Sequence, residues 1–250
     1  MPERQCIAMV TGASTGLGAE FCRQLADRCQ VIITVARRSE RMLELASELE
    51  DRSELHIVEA DLTTTEGVAR AVEAIRQQGP VDFLVNNAGF STFGDFENEE
   101  IDTQHAMVNL HINATLSLCR AAIPFMRDIG GGHIVNVSSF GAFSPLAGAA
   151  VYSATKAFLN SYCVSLRAEL AGSGISIQAL CPGFTRTEIH DTMSMAGFDK
   201  ATVAPAYWME AEAVVAASLA GIESGQLIVV PGEGNLKMAK RGLEQQLSRL

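Results

Sequence analysis

The sequence predicts one doubly wound α/β domain, in which a parallel sheet of about seven strands carries helices on both faces. Short runs rich in β-branched residues alternate with helical patterns along the whole chain. Most of these runs are continuously apolar, which is typical of parallel strands buried on both sides. The 250 residues, 48% of them hydrophobic, suffice for one large core. Since no Pro/Ser-rich linker interrupts residues 1–250, we expect a single domain.

Each strand and helix is assigned from its local residue pattern. The strands are predicted at Ile7–Val10, Val31–Val35, Leu55–Val58, Val81–Val85, His133–Val137, Ile175–Leu180 and Leu227–Val230. The connecting helices are predicted at Leu17–Arg28, Glu40–Leu49, Thr65–Gln77, Asp102–Met126, Ser153–Ala171 and Glu210–Glu223.

A further amphipathic helix with a basic face is predicted over residues 235–250, where leucines alternate with lysines and arginines. We expect it to dock on its own subunit or a neighbour rather than on a membrane surface. Two other helical regions, 104–126 and 151–170, carry very few charged side chains. One face of each of these helices would pack on the sheet. The opposite face would be covered by a second subunit or by the C-terminal segment of the same chain. The favoured interpretation is a homodimer or homotetramer formed through these two helices.

Composition excludes several classes of protein. A formal net charge of −10 argues against a nucleic-acid-binding protein, whose affinity depends on clustered cations. The N-terminal residues lack the apolar core of a signal peptide, and no segment reads as a membrane span. The six cysteines include no Cys-x-x-Cys pair and resemble reduced core thiols, so we expect a cytoplasmic protein. We predict no metal site.

A glycine-rich turn follows the first strand and opens the first helix. Gly12 permits a tight turn, Gly16 lets the backbone approach a pyrophosphate, and Gly18 lets the helix pack on the strand. Because the helix N-terminus adds amide donors, we expect a Rossmann-type dinucleotide site; a purely structural turn is the alternative. The predicted contacts from this turn are Gly12, Ser14, Thr15, Gly16, Leu17 and Gly18.

The residues after the second strand indicate which dinucleotide is bound. An acidic residue there would suit a free ribose 2′-hydroxyl, but the sequence has Arg37 and Arg38. A guanidinium can bind a 2′-phosphate, so the sequence predicts NADP(H), with Arg37 preferred over Arg38 as the phosphate ligand. The alternative is that both arginines are solvent-exposed residues at the start of the next helix. After the third strand, Asp61, followed by Leu62, would either bind the adenine amine or cap the next helix.

Several further motifs resemble the short-chain dehydrogenase/reductase family. Asn86-Asn87-Ala88-Gly89, Ser139, the segment 152–156 and Pro182-Gly183 occur in the family's order and at close to its spacings. The resemblance covers about residues 6 to 232. It implies a catalytic set of Ser139, Tyr152 and Lys156, with Ser139 preferred over Ser138 by spacing. The implied additional cofactor contacts are Asn87, Ala88, Gly89, Tyr152, Lys156, Pro182, Gly183, Thr185 and Thr187.

The chemistry also follows from the residues. Tyr152 and Lys156 are four residues apart, and therefore lie on one face of a helix. We expect the ammonium to lower the phenol pKa toward neutrality, so that Tyr152 exchanges a proton with the substrate oxygen while Ser139 holds that oxygen. A buried aromatic beside a snorkelling lysine is the alternative. We predict an NADP(H)-dependent oxidoreductase that works in the direction of reduction rather than oxidation. The alternative is a dinucleotide-sensing or scaffold protein that binds the cofactor without turnover.

One position departs from the family pattern. The family's usual catalytic asparagine, which helps to hold a water beside the lysine, falls on His111, and Asn109 and Asn113 are each two residues away. A shift of two residues turns a helical side chain by about 200°, so neither replaces it without a local bulge. Our hypothesis is that a ring nitrogen of His111 holds the water; a packing histidine is the alternative.

The substrate end is predicted to be apolar. Residues 188–209 would form a mobile lid over a small hydrophobic ketone or aldehyde, or else pack on the next helix. The apolar residues of this segment are Met193, Met195, Phe198, Tyr207, Trp208 and Met209. Aromatic residues that follow strand ends and would line the pocket are Phe90, Phe93, Phe140 and Phe143.

Overall fold

A seven-stranded parallel sheet forms the centre of the molecule, with strand order β3-β2-β1-β4-β5-β6-β9. The computed structural model describes residues 4–191, 195 and 197–249. The order reverses between β1 and β4, which opens a crevice at the carboxyl ends of these strands. The strands are β1 (Ile7–Thr11), β2 (Val31–Ala36), β3 (Glu54–Glu59), β4 (Phe83–Asn86), β5 (Gly132–Val137), β6 (Ile175–Leu180), β7 (Phe184–Thr185), β8 (Trp208–Met209) and β9 (Ile228–Val229).

Helices cover both faces of the sheet, as predicted. On one face Phe21, Met42 and Val215 pack in a buried cluster, and on the other Ile75 and Leu118 pack in a second. Two cores separated by the sheet confirm the doubly wound class. The α-helices are α1 (Gly16–Leu25), α2 (Ser39–Leu49), α3 (Thr65–Gln78), α4 (Ile101–Val108), α5 (Thr115–Asp128), α6 (Ala150–Glu169), α7 (Ala211–Glu223) and α8 (Glu233–Leu247).

Three elements differ from the predicted ones. The single helix expected over Asp102–Met126 consists of α4 and α5 joined by a π-helical turn, Asn109–Ala114. The last strand of the sheet spans two residues instead of Leu227–Val230. A small parallel ribbon, β7 with β8, was not predicted, because two-residue strands are too short to show a periodic pattern.

The C-terminal helix α8 docks on loops of its own chain. Gly242 lies against the Phe143 carbonyl, and the Gln246 amide donates to the same oxygen at 2.7 Å. At the other end of α8, Asn235 is buried against Gly183. The C-terminal helix thus docks on its own subunit, one of the two expected partners, while Phe158 and Val164 of α6 stay exposed. None of the helices in the described ranges is long and apolar enough to span a bilayer.

The outer face of α6 is exposed in the single chain. Phe158 and Val164 of α6 are 37% and 49% exposed, and the Phe158 ring stacks on Tyr162 with centroids 5.9 Å apart. The C-terminal segment, which was the alternative cover for this face, lies elsewhere. The surface therefore offers apolar area to another molecule.

The cysteines differ in part from the expectation of reduced thiols. The sulfurs of Cys6, just before β1, and Cys29, just before β2, are joined as a disulfide. The pairing of β1 with β2 brings these two residues together, since the Val31 amide donates to the Cys6 carbonyl at 3.3 Å. The remaining cysteines are free and buried: Cys22, Cys119, Cys163 and Cys181.

A buried polar pair joins the sheet to α7 and provides a test of the fold. The Ser218 hydroxyl donates to Gln178 Oε1 at 2.6 Å, and Gln178 Nε2 donates to the Ser218 carbonyl at 3.1 Å. Both side chains are almost inaccessible. Ser218→Ala leaves the Gln178 oxygen without this donor, so we expect a loss of about 1–3 kcal/mol in the free energy of unfolding.

Urea unfolding measures this loss, and Ser47→Ala is the control because Ser47 lies on the exposed face of α2. The control is expected to change stability by less than about 0.5 kcal/mol. Equal effects of the two substitutions would show that the Gln178–Ser218 pair does not stabilise the contact between β6 and α7.

Candidate active site

A cavity of about 500 Å³ opens along the carboxyl ends of the central strands. It runs from the end of β2, past the glycine turn, to the N-terminal part of α6. Of the predicted catalytic and cofactor-binding residues only Gly18 does not line it. Its wall contains Gly12, Ser14, Thr15, Gly16, Leu17, Arg37, Arg38, Asp61, Leu62, Asn87, Ala88, Gly89, His111, Ser139, Tyr152, Lys156, Pro182, Gly183, Thr185 and Thr187.

The glycine turn has the geometry of a phosphate cradle. Gly12 and Gly16 have φ angles of +66° and +56°, a region that residues with a Cβ seldom adopt. A Cβ on Gly18 would lie 2.1 Å from the Gly12 carbonyl, so Gly18 brings α1 onto the turn without facing the cavity. The first amides of α1 lack partners within the helix, and Gly16 and Leu17, which carry two of them, line the cavity. These donors fit the pyrophosphate of a dinucleotide.

Hydrogen bonds fix the segment after β4 to the end of β1. The Thr11 hydroxyl accepts from the Asn87 and Ala88 amides at 2.9 and 3.0 Å, and Asn87 Nδ2 donates to the Thr11 carbonyl at 2.8 Å. Asn87 therefore holds the switch point of the sheet together. The Asn87 side chain is hydrogen-bonded to the protein backbone. Ala88 and Gly89 line the cavity beside it.

Asp61 organises the turn before α3. Its Oδ1 accepts from the amide and the hydroxyl of Thr63 at 2.9 and 2.7 Å, while Thr64 is the residue that caps α3. Burial opposes ionisation, but the Thr63 hydrogen bonds and the charge of Arg37 outweigh it, so the pKa of Asp61 is lowered. Asp61 is thus an ionised acceptor in the cavity wall, and of its two predicted roles the helix cap is excluded because Thr64 caps α3.

The proposed catalytic side chains meet where β5 and α6 come together. Ser139 precedes a short 3₁₀ turn, and its hydroxyl accepts from the Gly141 amide at 3.1 Å. Tyr152 and Lys156 lie on one face of α6, with Lys156 Nζ 5.6 Å from the Tyr152 ring centroid. The sequence spacing therefore predicted this cluster correctly.

Lys156 is buried, with 4% of its surface exposed. Its Nζ donates to the Val137 carbonyl at 2.8 Å, and the Ser138 hydroxyl donates to the Lys156 carbonyl at the same distance. Because burial disfavours the charged form, the pKa of Lys156 is lowered to about 7. The ammonium is therefore only partly populated at neutral pH.

The expected lowering of the Tyr152 pKa is wrong for the protein alone. Burial raises the pKa of Tyr152 above its ordinary value, and the hydrogen bond with Ser139 only partly offsets this. The nearby Cys181 thiol raises it further. Tyr152 is consequently a protonated phenol at neutral pH, the form that donates a proton.

His111 is buried between the segment after β4 and α6. Its Nε2 accepts from the Phe90 amide at 3.3 Å, and its Nδ1 lies 2.9 Å from the Thr155 hydroxyl, which itself donates to the Tyr152 carbonyl. These partners assign the proton to Nδ1. Burial and the nearby Lys156 lower the pKa of His111 well below its ordinary value, so the ring is neutral. Both nitrogens already bind protein atoms, which favours a packing histidine over the water-holding hypothesis.

The π-helical turn that surrounds His111 does not bring a neighbouring asparagine into the cavity. Asn113 Nδ2 donates to Asn109 Oδ1 at 2.8 Å on the solvent side of the turn. The bulge required for either residue to replace the family's asparagine is therefore present, but the residue it directs inward is His111, which is 1% exposed.

Aromatic rings close the substrate end of the cavity. Phe198 lies between Phe93 and Phe184, with centroids 5.7 and 5.8 Å away, and Phe184 also contacts Trp208. The segment 188–209 thus covers the cavity through Phe198, whereas Met193 lies outside the described residues. Phe90 and Phe140 line the wall as predicted; Phe143 does not, because it packs in the core beneath α8.

Some wall residues were not predicted. Leu110, Leu146 and Phe184 add apolar surface at the substrate end, and Thr155 connects His111 to the backbone of Tyr152. Thr155 lies in the segment 152–156, three residues after Tyr152, so the helical spacing contained this signal. Leu146 lies in an irregular loop, where no periodic pattern could indicate its direction.

Comparison with known proteins agrees with this geometry. The family model for short chain dehydrogenases matches residues 6–197. An uncharacterized oxidoreductase of Staphylococcus epidermidis is 31% identical over 74% of this chain and 80% of its own length. A short-chain dehydrogenase from Sphingobium yanoikuyae, solved in complex with NADPH, superposes with a TM-score of 0.85, at 32% identity over 98% of this chain and 95% of its own. A bulky-bulky ketone specific alcohol dehydrogenase from Comamonas testosteroni superposes with a TM-score of 0.80, at 28% identity over 99% of this chain and 96% of its own.

The neutral state of His111 predicts an effect on acid stability. Below about pH 6.5 the unfolded chain protonates this histidine while the folded protein does not, so stability falls by up to about 1.4 kcal/mol per pH unit. His111→Asn removes this contribution. We expect its unfolding free energy, measured in urea between pH 7 and pH 5, to fall less steeply than that of the wild type.

His105→Asn is the control, because His105 lies on the exposed face of α4. Its pH dependence should match that of the wild type. If the slope for His111→Asn also matched, the assignment of a neutral ring held by two hydrogen bonds would be wrong.

Proposed function

The chain belongs to the short chain dehydrogenase family and is an oxidoreductase, and on that premise we propose that it is an NADP(H)-dependent reductase of hydrophobic ketones and aldehydes. The single observation that carries this proposal is the cavity in which Tyr152, Ser139 and Lys156 share one wall with the glycine turn. Arg37 and Arg38 at the opposite end support a 2′-phosphorylated cofactor. The Sphingobium yanoikuyae relative, solved with NADPH, supports the same cofactor.

We assign the chemistry as follows. Bound NADP(H) supplies or accepts the hydride. The Ser139 hydroxyl orients the substrate oxygen, and the protonated Tyr152 phenol gives its proton to that oxygen during reduction. Lys156, when charged, favours the tyrosinate that remains, and Thr185 and Thr187 add hydroxyls to the wall on which the nicotinamide would rest. At neutral pH the Tyr152 phenol carries the proton that reduction requires, and burial makes that proton harder to release until Lys156 or the cofactor adds positive charge.

The substrate class is proposed from the wall beside Tyr152. That wall combines Phe90, Phe93, Phe140 and Phe198 with aliphatic side chains. Such a surface favours apolar groups on both sides of a carbonyl. The ketone named for the Comamonas testosteroni relative is consistent with this assignment.

We further propose that two or four copies of the chain associate through helical regions 104–126 and 151–170. The support is the outer face of α6, on which Phe158 and Val164 are exposed. A cytoplasmic location remains a prediction. The buried free thiols agree with it, whereas the Cys6–Cys29 disulfide is the feature less typical of that compartment.

A steady-state assay tests the reductase. NADPH oxidation is followed with a panel of apolar ketones, aldehydes and diketones, for the wild type and Tyr152→Phe. Because the substitution removes only the proton donor, we expect turnover to fall by about 10²–10⁴-fold while NADPH still binds. Tyr162→Phe is the matched control, since Tyr162 lies on α6 away from the cavity. Tight NADPH binding without turnover of any compound would favour the sensor or scaffold instead.

Lys156 predicts a pH profile. The value of kcat/KM for NADPH reports the free enzyme, in which burial lowers the pKa of Lys156 to about 7. Below this pH the ammonium is available to the cofactor and to Tyr152, and above it the charge is lost. We therefore expect kcat/KM to decline above about pH 7. In Lys156→Arg, whose side chain stays charged, this decline should be absent; an identical decline in both proteins would contradict the assignment.

A further inference from the structure

A carboxylate bridges two arginines at the adenosine end of the cavity. Glu188 Oε2 lies 3.1 Å from Arg38 Nη1, and Glu188 Oε1 lies 3.7 Å from Arg41 Nη1. Arg38 and Arg41 belong to the start of α2, directly after β2, whereas Glu188 belongs to the turn after β7. The ion pair therefore connects the two opposite sides of the cavity.

The same arginine also contacts the glycine turn. Arg38 Nη2 donates to the Ser14 hydroxyl at 3.4 Å, and Ser14, Arg38 and Glu188 all line the cavity. The Glu188 carboxylate thus sits on cationic donors beside the turn that is shaped for phosphate. An anionic group of a ligand would bind the same guanidinium groups as the Glu188 carboxylate does.

We propose that Glu188 is an internal competitor for the 2′-phosphate of the cofactor. This inference rests on the proposed NADP(H) function. A phosphate monoester carries about −1.5 to −2 charges at neutral pH, against one for the carboxylate, so the phosphate displaces Glu188 from Arg38 and Arg41. Arg37 offers the phosphate a first contact, since among the described residues no carboxylate is bonded to its guanidinium.

The competition reduces the apparent affinity for a 2′-phosphorylated ligand, because part of the binding free energy goes into breaking the bridge. A cofactor without the phosphate leaves the bridge in place.

Two nucleotides without nicotinamide test the proposal by equilibrium binding. Adenosine 2′,5′-bisphosphate carries the 2′-phosphate and 5′-AMP does not. In Glu188→Gln we expect the dissociation constant of the bisphosphate, measured by titration calorimetry, to fall by about two- to fivefold, as for an exposed ion pair. The constant for 5′-AMP should not change. At high salt the difference should shrink, because both charges are exposed.

The matched control is Glu210→Gln. Glu210 forms a comparable exposed ion pair with Arg186 at 3.0 Å and loses the same charge, but neither residue lines the cavity. It should leave both dissociation constants unchanged. A second control combines Glu188→Gln with Arg38→Ala and Arg41→Ala, where removing the carboxylate should no longer tighten binding of the bisphosphate.

Three outcomes would overturn the proposal: an unchanged dissociation constant in Glu188→Gln, weaker binding of the bisphosphate, or equal tightening in Glu210→Gln. The outcome for the proposed function is separate. If the bisphosphate binds more tightly than 5′-AMP but no carbonyl compound is reduced, the reductase fails and the competition stands. If neither the wild type nor Glu188→Gln distinguishes the two nucleotides, the NADP(H) preference and the competition both fail.

Discussion

Withdrawal from water at the carboxyl edge of the sheet determines the chemistry of this site. The parallel strands end together, and Lys156 and Thr155 are buried on α6, which packs against the sheet. Burial then acts on every titratable group in the same sense, favouring the neutral form. It lowers the pKa of Lys156, raises that of Tyr152 and keeps His111 uncharged. Burial therefore leaves Tyr152 as a proton donor, Lys156 as a cation only at lower pH, and His111 as a neutral ring.

Much of the fold and of the cavity could be predicted, because the signals are local. A glycine turn between a strand and a helix needs no distant residue to be recognised, and Gly12 and Gly16 adopt the positive φ angles that the motif implies. The four-residue spacing of Tyr152 and Lys156 fixes their common helix face. The β-branched runs located the strands of the main sheet, since apolar strands covered on both sides have few alternatives.

The remaining features depend on distances between remote parts of the chain. The direction of the Tyr152 pKa shift could not be obtained from spacing alone, because it depends on how deeply the folded chain buries the phenol. The engagement of both His111 nitrogens required the positions of Phe90 and Thr155. The Cys6–Cys29 disulfide and the bridge from Glu188 to Arg38 likewise join segments whose separation no local pattern specifies.

Helix α8 supports the candidate site from outside the main sheet. It holds the Phe143 carbonyl through Gln246 and lies against Gly183 through Asn235, so it supports both the loop after Ser139 and the turn after β6. All seven strands of the main sheet precede α8 in the chain. A change on the sheet-distant face of α8 can therefore disturb the loops around the cavity while leaving the register of the strands intact.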